Sequence, residues 1–287
     1  VHYAIPHAYA AYMAKKILDE NGYNIPIITT LHGTDITLVG NHPFYKPAVT
    51  FSINKSDIVT CVSKSLRDDT REFFGIKRDI KVIPNFIDIE KYSKKHLLFE
   101  RNIIAQDKEK IIVHISNFRP LKRIIDVIKI FEKISQKINS KLIMVGDGPD
   151  KKKAKDFLRK NNLKNKVIFL GKTNEIDEIL CSSDLFLLPS EKESFGLAAL
   201  EAMALKVPVI SSNVGGLKEL NINGNSGYTS HVGDIDSMSN NAIEILSNEK
   251  LKNTFKRQLQ LSHKILFFQE WWTNQKPFHQ NARIRGR

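Results

Sequence analysis

Cysteine is scarce: Cys61 and Cys181 are the only two in 287 residues, far apart, in apolar surroundings and without metal-ligand spacing. They read as buried, reduced thiols of a cytosolic protein. The nine histidines show no metal spacing either, so no bound metal is expected. Long hydrophobic runs are missing as well. None approaches the roughly 20 residues that cross a bilayer, so no integral membrane segment is expected. No signal peptide is expected, internal repeats and low-complexity tracts are missing, and the chain does not begin with Met. It opens on Val1-His2-Tyr3-Ala4-Ile5-Pro6-His7, which reads as entry into the middle of a domain. The expectation is a cytoplasmic globular protein.

Charge of one sign dominates what is present. Lys and Arg number 44 against 31 Asp and Glu, a formal net charge of +13. Such an excess suits nucleic acid, an anionic membrane surface or an anionic substrate. The lysines are scattered through helical stretches, as in Lys151-Lys152-Lys153 and Lys164-Asn165-Lys166, with no interleaved aromatics. Most read as solvated faces, anionic substrates are the next reason, and no nucleic-acid partner is expected. The composition is otherwise ordinary, at 41% hydrophobic and 26% charged. This length holds one large or two medium domains, each able to bury a core.

Ile111 to Ile115 reads as a strand and Ile124 to Ile138 as a helix, with Ile124, Val127, Ile128, Phe131 and Ile134 at helical spacing. The alternation continues through strand Leu142 to Val145, helix Lys151 to Lys160, strand Val167 to Leu170 and a helix through Ile176, Ile179 and Leu180. Strand Leu185 to Leu188, helix Gly196 to Ala204 and strand Val207 to Ile210 follow. Strict succession of this kind implies a parallel, doubly wound sheet. The first 95 residues alternate with less in them: helix His7 to Leu18, strand Ile25 to Leu31, helix Lys46 to Asn54, strand Ile58 to Val62, helix Leu66 to Phe74 and strand Ile80 to Ile83. Three strands are few for a doubly wound domain, so this one is either small or lacks its start. Asp88 to Lys110 is charged and weakly periodic and reads as a linker. The expected fold class is α/β with two Rossmann-like domains, residues 1–95 (incomplete) and 96–263. Residues 264–287, with Phe267 to Trp272 followed by a basic stretch, form an atypical tail. A disordered or misread segment fits it better than a docked helix, although Phe268 and Trp272 are four apart.

Chemistry concentrates at strand ends. Glu193-Ser194-Phe195-Gly196-Leu197 and then Glu201 directly follow the strand ending at Leu188. In an open parallel sheet, ligands bind just beyond the carboxyl ends of strands. Ser194-Phe195-Gly196 would open a helix whose free N–H groups face an anion such as a diphosphate. Gly196 lets the chain approach that ligand closely. Glu201 can accept hydrogen bonds from both hydroxyls of a ribose, and Glu193 would face whatever hangs from the phosphate. The plainer alternative makes Glu193 a helix-start acid and Glu201 a surface residue; the strand–turn–helix context favours function. A second constellation, Ser116-Asn117-Phe118-Arg119-Pro120-Leu121-Lys122-Arg123, crowds Arg119, Lys122 and Arg123 where a strand ends and a helix begins. Helix starts already favour anions, so added cations ask for a strongly anionic ligand. A solvated basic turn is the alternative. The third, Thr29-Thr30-Leu31-His32-Gly33-Thr34-Asp35, delivers His32 to a turn at a sheet's carboxyl edge. There it can donate to a sugar hydroxyl or a phosphate, with Asp35 orienting it; a structural strand-end histidine is the alternative.

Glu193-x7-Glu201, continued by Ala202-Met203-Ala204 and Val207-Pro208-Val209-Ile210, resembles the retaining GT-B glycosyltransferases of family 4. Asn213-Val214-Gly215-Gly216-Leu217-Lys218-Glu219 is similar to the family's Gly-Gly-x-x-Glu segment, and Val145-Gly146-Asp147-Gly148-Pro149 to its G-x-G-P turn. The similarity extends from residue 1 to about 263. It implies a GT-B fold, a UDP-sugar donor substrate and no cofactor or metal. Glu193 would lie by the donor sugar, Glu201 would bind the ribose, and Ser194, Phe195, Gly196, Leu197, Gly146 and Gly148 would complete the donor site. Arg119 and Lys122 would neutralise the diphosphate leaving group, Lys122 being the better match through Pro120-x-Lys122, and His32 would lie in the donor–acceptor cleft. Retention without a clear nucleophile is usually explained by front-face attack, in which the leaving diphosphate oxygen takes the acceptor's proton and Glu193 orients the sugar; a covalent route with Glu193 as nucleophile stays open.

Within the family, His2 to His7, Leu31 to Thr37, Ile83 to Asp88, His114 to Pro120 and Ser190 to Gly196 together resemble one subfamily. That resemblance implies transfer of N-acetylglucosamine from UDP-GlcNAc to the hydroxyl of L-malate, the first step of bacillithiol synthesis. A small dicarboxylate needs a cationic, hydroxyl-lined pocket, which suits Arg119 paired with a carboxylate and Tyr3 and Thr30 as hydrogen-bond donors. Tyr3 and Arg119 also fit a packed aromatic and a surface cation. Another family 4 transferase for polysaccharide or glycolipid synthesis and a non-catalytic UDP-sugar-binding fragment stay open, as does a homo-oligomer. Two departures stand out. The family's opening strand and glycine-rich loop do not precede His2, and the tail after His263 does not resemble its closing helix. The chain as given is therefore expected to bind a UDP-sugar weakly and to turn over little or nothing.

Overall fold

The computed structural model describes residues 1–38, 40, 42–88, 101–106 and 108–262. Most of the expected linker, and the tail with Phe268 and Trp272, lie outside the described residues. The chain forms two compact units. The first holds Val1–Asn85 with Lys192–Gly196 and Val214–Leu220; the second holds Phe86–Glu191, Leu197–Asn213 and the chain from Asn221 onward.

In the first unit, β1 (Ile28–Leu31), β2 (Ile58–Cys61) and β3 (Lys81–Val82) form a parallel sheet in that order. The chain's first residues extend its β1 edge: His2 bridges to Thr30, and the Tyr3 N–H donates to the Thr30 carbonyl at 2.9 Å. The helix Lys64–Phe74 follows β2. Ser63 caps it by accepting from the Leu66 N–H at 3.1 Å, and Gly75 ends it in the left-handed region at φ 63°. Leu31, Ile36, Val49, Ile53, Leu66 and Ile80 are buried in this unit. The helix Tyr9–Glu20 buries none of its residues, and Tyr9, Met13 and Ile17, each four apart, are 47%, 49% and 62% exposed.

The second unit is a six-stranded parallel sheet ordered β6 (Val167–Gly171), β5 (Ser140–Val145), β4 (Lys110–Ile115), β7 (Leu185–Leu188), β8 (Val209–Ser212), β9 (Gly227–Ser230). The chain enters at the central strand β4, winds outward through β5 and β6, then crosses back to β7 and winds outward the other way. That reversal leaves a crevice between the carboxyl ends of β4 and β7. All four residues of β7 are buried, as a parallel strand covered on both faces requires. Phe118, Phe131, Phe186 and Phe255 are fully enclosed.

At the amino ends of β4 and β7, the buried Asp184 accepts from Lys252, from the Ile111 N–H at 2.9 Å and from the Arg101 guanidinium at 2.7 Å. Burial pushes the Asp184 carboxyl up. The hydrogen bonds from Lys252 and Ile111 outweigh it and hold this carboxyl below the ordinary range.

The expected strands and helices occur with shifted ends. The strand expected from Ile25 is confined to Ile28–Leu31, and the one expected at Val207 to Ile210 is β8, two residues later. The helix expected from His7 begins at Tyr9, after an irregular turn over Ala4–Ala8. β9 and the helices Leu217–Leu220, Ile235–Ser247 and Glu249–Ser262 were not among the expected elements.

Candidate active site

In the second unit the loops after β4 and β7 meet. A 3₁₀ turn, Pro120–Lys122, follows β4, and the Glu191 N–H donates to the Leu121 carbonyl at 2.8 Å. The basic turn thus borders the switch crevice and touches the stretch that leads into Glu193. Arg119 is exposed and joins no ion pair among the described residues. Arg123 behaves differently from the expectation of three crowded cations. Its backbone is left-handed at φ 50°, and its guanidinium pairs with Asp126 at 2.6 Å and Glu191 at 3.9 Å. It is held by carboxylates of its own neighbourhood, whereas Arg119 is not.

Gly146 and Gly148 seat this turn. A Cβ on Gly146 would lie 1.8 Å from the Ser116 carbonyl oxygen, and one on Gly148 would lie 2.0 Å from that of Asn117. The close approach these glycines permit is to the protein's own backbone. Gly196 has φ 96°, and the helix Leu197–Ala204 begins directly after it. Leu197 is exposed in the first turn, and Glu201 is half-buried further along. Phe195 is buried, which leaves its backbone as the candidate contact.

In the first unit the turn after β1 packs with residues 192–196 and 214–220. Asp35, only 2% exposed, accepts from the backbone N–H groups of Ala4 at 2.8 Å, Gly33 at 3.0 Å and His32 at 3.3 Å. It orients the turn and not, as expected, the His32 ring. The ring's partner is His2, whose Nδ1 lies 2.7 Å from the His32 Nε2, and the Tyr3 ring lies 5.0 Å from it between centroids. Burial lowers the His32 pKa, the His2 imidazole lowers it further and Asp35 opposes them.

Tyr3 therefore joins His32. The Thr30 hydroxyl accepts from that of Thr60 at 2.8 Å, which leaves its own hydrogen to donate. A Cβ on Gly33 would lie 1.6 Å from the Ser194 Oγ. The Gly216 N–H donates to the Glu193 carbonyl at 2.9 Å. Cβ atoms on Gly215 and Gly216 would lie 2.0 and 2.1 Å from the carbonyl oxygens of Glu193 and Ser194. The Gly-Gly pair is thus the seat on which Glu193 and Ser194 rest. Among the described residues, no group of three or more His, Cys, Asp or Glu is placed to hold a metal ion. No described helix is long and apolar enough to cross a membrane.

Residues 98–261 match the family described as Glycosyl transferases group 1, and residues 1–91 match Glycosyltransferase Family 4. The chain belongs to the group 1 glycosyltransferases. Over 252 residues this group 1 chain is 44% identical to N-acetyl-alpha-D-glucosaminyl L-malate synthase of Bacillus anthracis, covering 88% of the chain and 65% of that relative. It therefore spans less than two thirds of that relative's length. Among solved structures, Anabaena HepE in complex with UDP and glucose aligns at TM-score 0.81 and 21% identity, over 96% of this chain and 75% of that one. A mutant of S. aureus TarM in complex with Fondaparinux, alpha-GlcNAc-glycerol and UDP aligns at TM-score 0.74 and 23% identity, over 90% and 52%. The shared architecture is the GT-B class, with two Rossmann-like units.

Two residues of this glycosyltransferase carry more than their motifs disclose. His2, thirty positions from His32, has no local signal that announces the pairing. Glu219, the acid of the Gly-Gly-x-x-Glu segment, accepts from the Lys64 and Ser65 N–H groups at 3.0 and 2.8 Å. It thereby caps the start of helix Lys64–Phe74, where a carboxylate is favoured by the helix dipole.

Proposed function

We propose that this chain is the larger part of a retaining glycosyltransferase that moves N-acetylglucosamine from UDP-GlcNAc to the hydroxyl of L-malate. The donor diphosphate binds at the carboxyl edge of the second unit's sheet, where the turn after β4 and the stretch after β7 touch. Arg119 and Lys122 neutralise the charge that develops on the leaving diphosphate, together with the free N–H groups at the start of helix Leu197–Ala204. Glu201 accepts from the ribose hydroxyls, and Glu193 orients the sugar. Gly146 and Gly148 act by seating the basic turn.

His32 donates a hydrogen bond to the sugar or phosphate. Malate is held through a carboxylate by Arg119 and through hydrogen bonds by Tyr3 and Thr30. In the transfer, the bond between the anomeric carbon and the diphosphate oxygen breaks as the malate hydroxyl oxygen bonds to the same carbon on the same face. The hydroxyl proton passes to the departing diphosphate oxygen. No metal is needed in this scheme, so activity survives treatment with a chelator. We place the enzyme in the cytoplasm, where UDP-GlcNAc and malate are both made.

The observation that carries the reading is the hydrogen bond between Glu191 and Leu121, which joins the basic turn to the acidic segment at the switch crevice. The 44% identity to the malate synthase supports the choice of substrates. The test is UDP release from UDP-GlcNAc by the purified full-length protein. Release that depends on L-malate supports the proposal. Equal release with lactate or glycerol contradicts the acceptor, and failure of the chain to bind UDP by calorimetry contradicts the donor.

A further inference from the structure

His114 is an odd residue for its place. It lies in β4, the central strand of the second unit, among Ile111, Ile112, Val113 and Ile115, and is 0% exposed. A buried imidazole in such a strand is costly unless both nitrogens are satisfied, and here both are. Nδ1 is 2.8 Å from the Leu187 carbonyl and Nε2 is 2.8 Å from the Ser116 Oγ.

The direction of every proton follows. A carbonyl oxygen can only accept, so Nδ1 carries the hydrogen. Nε2 is then the acceptor, and the Ser116 hydroxyl donates to it. The same Oγ accepts from the Phe118 N–H at 3.2 Å. The result is one continuous relay, from the Phe118 N–H to Ser116, to His114, to Leu187. It ties the loop leaving β4 to the end of β7 across the switch crevice.

Phe118 is what the relay holds. It is fully buried, and its φ of 42° is left-handed, a conformation unfavourable for a non-glycine residue and held here by its surroundings. Its carbonyl accepts from the Asp150 N–H at 3.0 Å, so both of its peptide groups are fixed. Arg119 is the next residue and the Pro120–Lys122 turn follows. The backbone bend at Phe118 therefore sets where both candidate phosphate-binding cations leave the sheet. Burial pushes His114 down to about 4, against the Leu187 bond, and nearby Lys122 lowers it further. The ring thus stays neutral, and the relay intact, through the neutral pH range.

We propose that His114 and Ser116 are positioning residues for the donor diphosphate, acting through the bend at Phe118 on Arg119 and Lys122. This rests on the UDP-sugar reading above, and the experiment separates the two. Calorimetry on the full chain compares UDP with uridine, which lacks the diphosphate. Ser116→Ala cuts the relay without opening a large cavity. UDP binding should weaken by about tenfold, as expected for a lost polar link at a charged site, while uridine binding holds within twofold. Ser116→Thr, which keeps the hydroxyl, should recover most of the UDP affinity.

Unchanged UDP affinity in a folded Ser116→Ala protein overturns the proposal, and so does an equal loss for UDP and uridine. If the unsubstituted chain binds no UDP, the donor reading itself fails. A readout that needs no variant is the nitrogen spectrum of the His114 imidazole. The neutral Nδ1–H tautomer between pH 5.5 and 8 is expected, and an Nε2–H tautomer or a titration near pH 6.5 contradicts the relay.

Discussion

The two units hold their candidate residues in different ways. In the second, the basic turn stands on a six-stranded sheet with a closed apolar core, glycine seats and the buried relay through His114. In the first, a three-stranded sheet carries the His32 turn, held chiefly by one carboxylate, Asp35, and by backbone packing against Gly33 and Gly216. The helix Tyr9–Glu20 there leaves its apolar stripe in water. Among the described residues, most of the buried apolar side chains lie in the second unit.

Substitutions can break that comparison. Asp184→Ala strips the carboxylate from the buried Lys252 and should cost about 3–5 kcal/mol, read from the denaturant midpoint. Because this carboxyl's folded pKa lies below its unfolded value, its contribution is complete above about pH 4 and is lost as pH falls through the folded pKa. Gly146→Ala combines φ 119° with a Cβ 1.8 Å from the Ser116 oxygen. A loss of about 2–4 kcal/mol is expected, with UDP affinity falling alongside.

In the first unit the effects should be smaller. Glu219→Ala removes the acceptor for two N–H groups at a helix start and should cost about 1 kcal/mol in thermal unfolding. A cost as large as that of Asp184→Ala would reverse the ranking of the two units.

The mildest test is the His32 titration by imidazole NMR, expected below the ordinary value of 6.5 and moving upward in His2→Gln. Its linkage has a definite sign. With the folded pKa below the unfolded one, the stabilising contribution is present above about pH 6.5 and is lost as pH falls through the folded value.

Much of this was legible in the chain. Leu185 to Leu188 and Lys151 to Lys160 begin and end where periodicity puts them, because each is bounded by polar or turn residues. The strand ends were legible too, so His32, Arg119 and Glu193 could be named as candidates in the turns that follow them. β9 was not, since Gly227-Tyr228-Thr229-Ser230 has no apolar run. Gly227 is there because a Cβ would lie 1.9 Å from the Val209 carbonyl oxygen. The helix Ile235–Ser247 did carry a signal, in Met238, Ala242 and Ile245 at helical spacing below the capping Asp234.

The pairings His2 with His32, Glu219 with Lys64 and His114 with Leu187 span 30 to 155 residues. Nothing local specifies them; each exists only once the folded chain brings residues distant in sequence together. Asp35 was read as a partner of the nearest side chain, whereas the stronger demand came from buried backbone N–H groups.

The most direct test of the account is the affinity difference between UDP and uridine, measured by calorimetry in the unsubstituted chain and in the Arg119→Ala/Lys122→Ala double variant. UDP should bind about a hundredfold tighter than uridine, and the double variant should lose most of that margin while keeping its uridine affinity. A margin that survives the loss of both cations would place the diphosphate elsewhere and contradict the account.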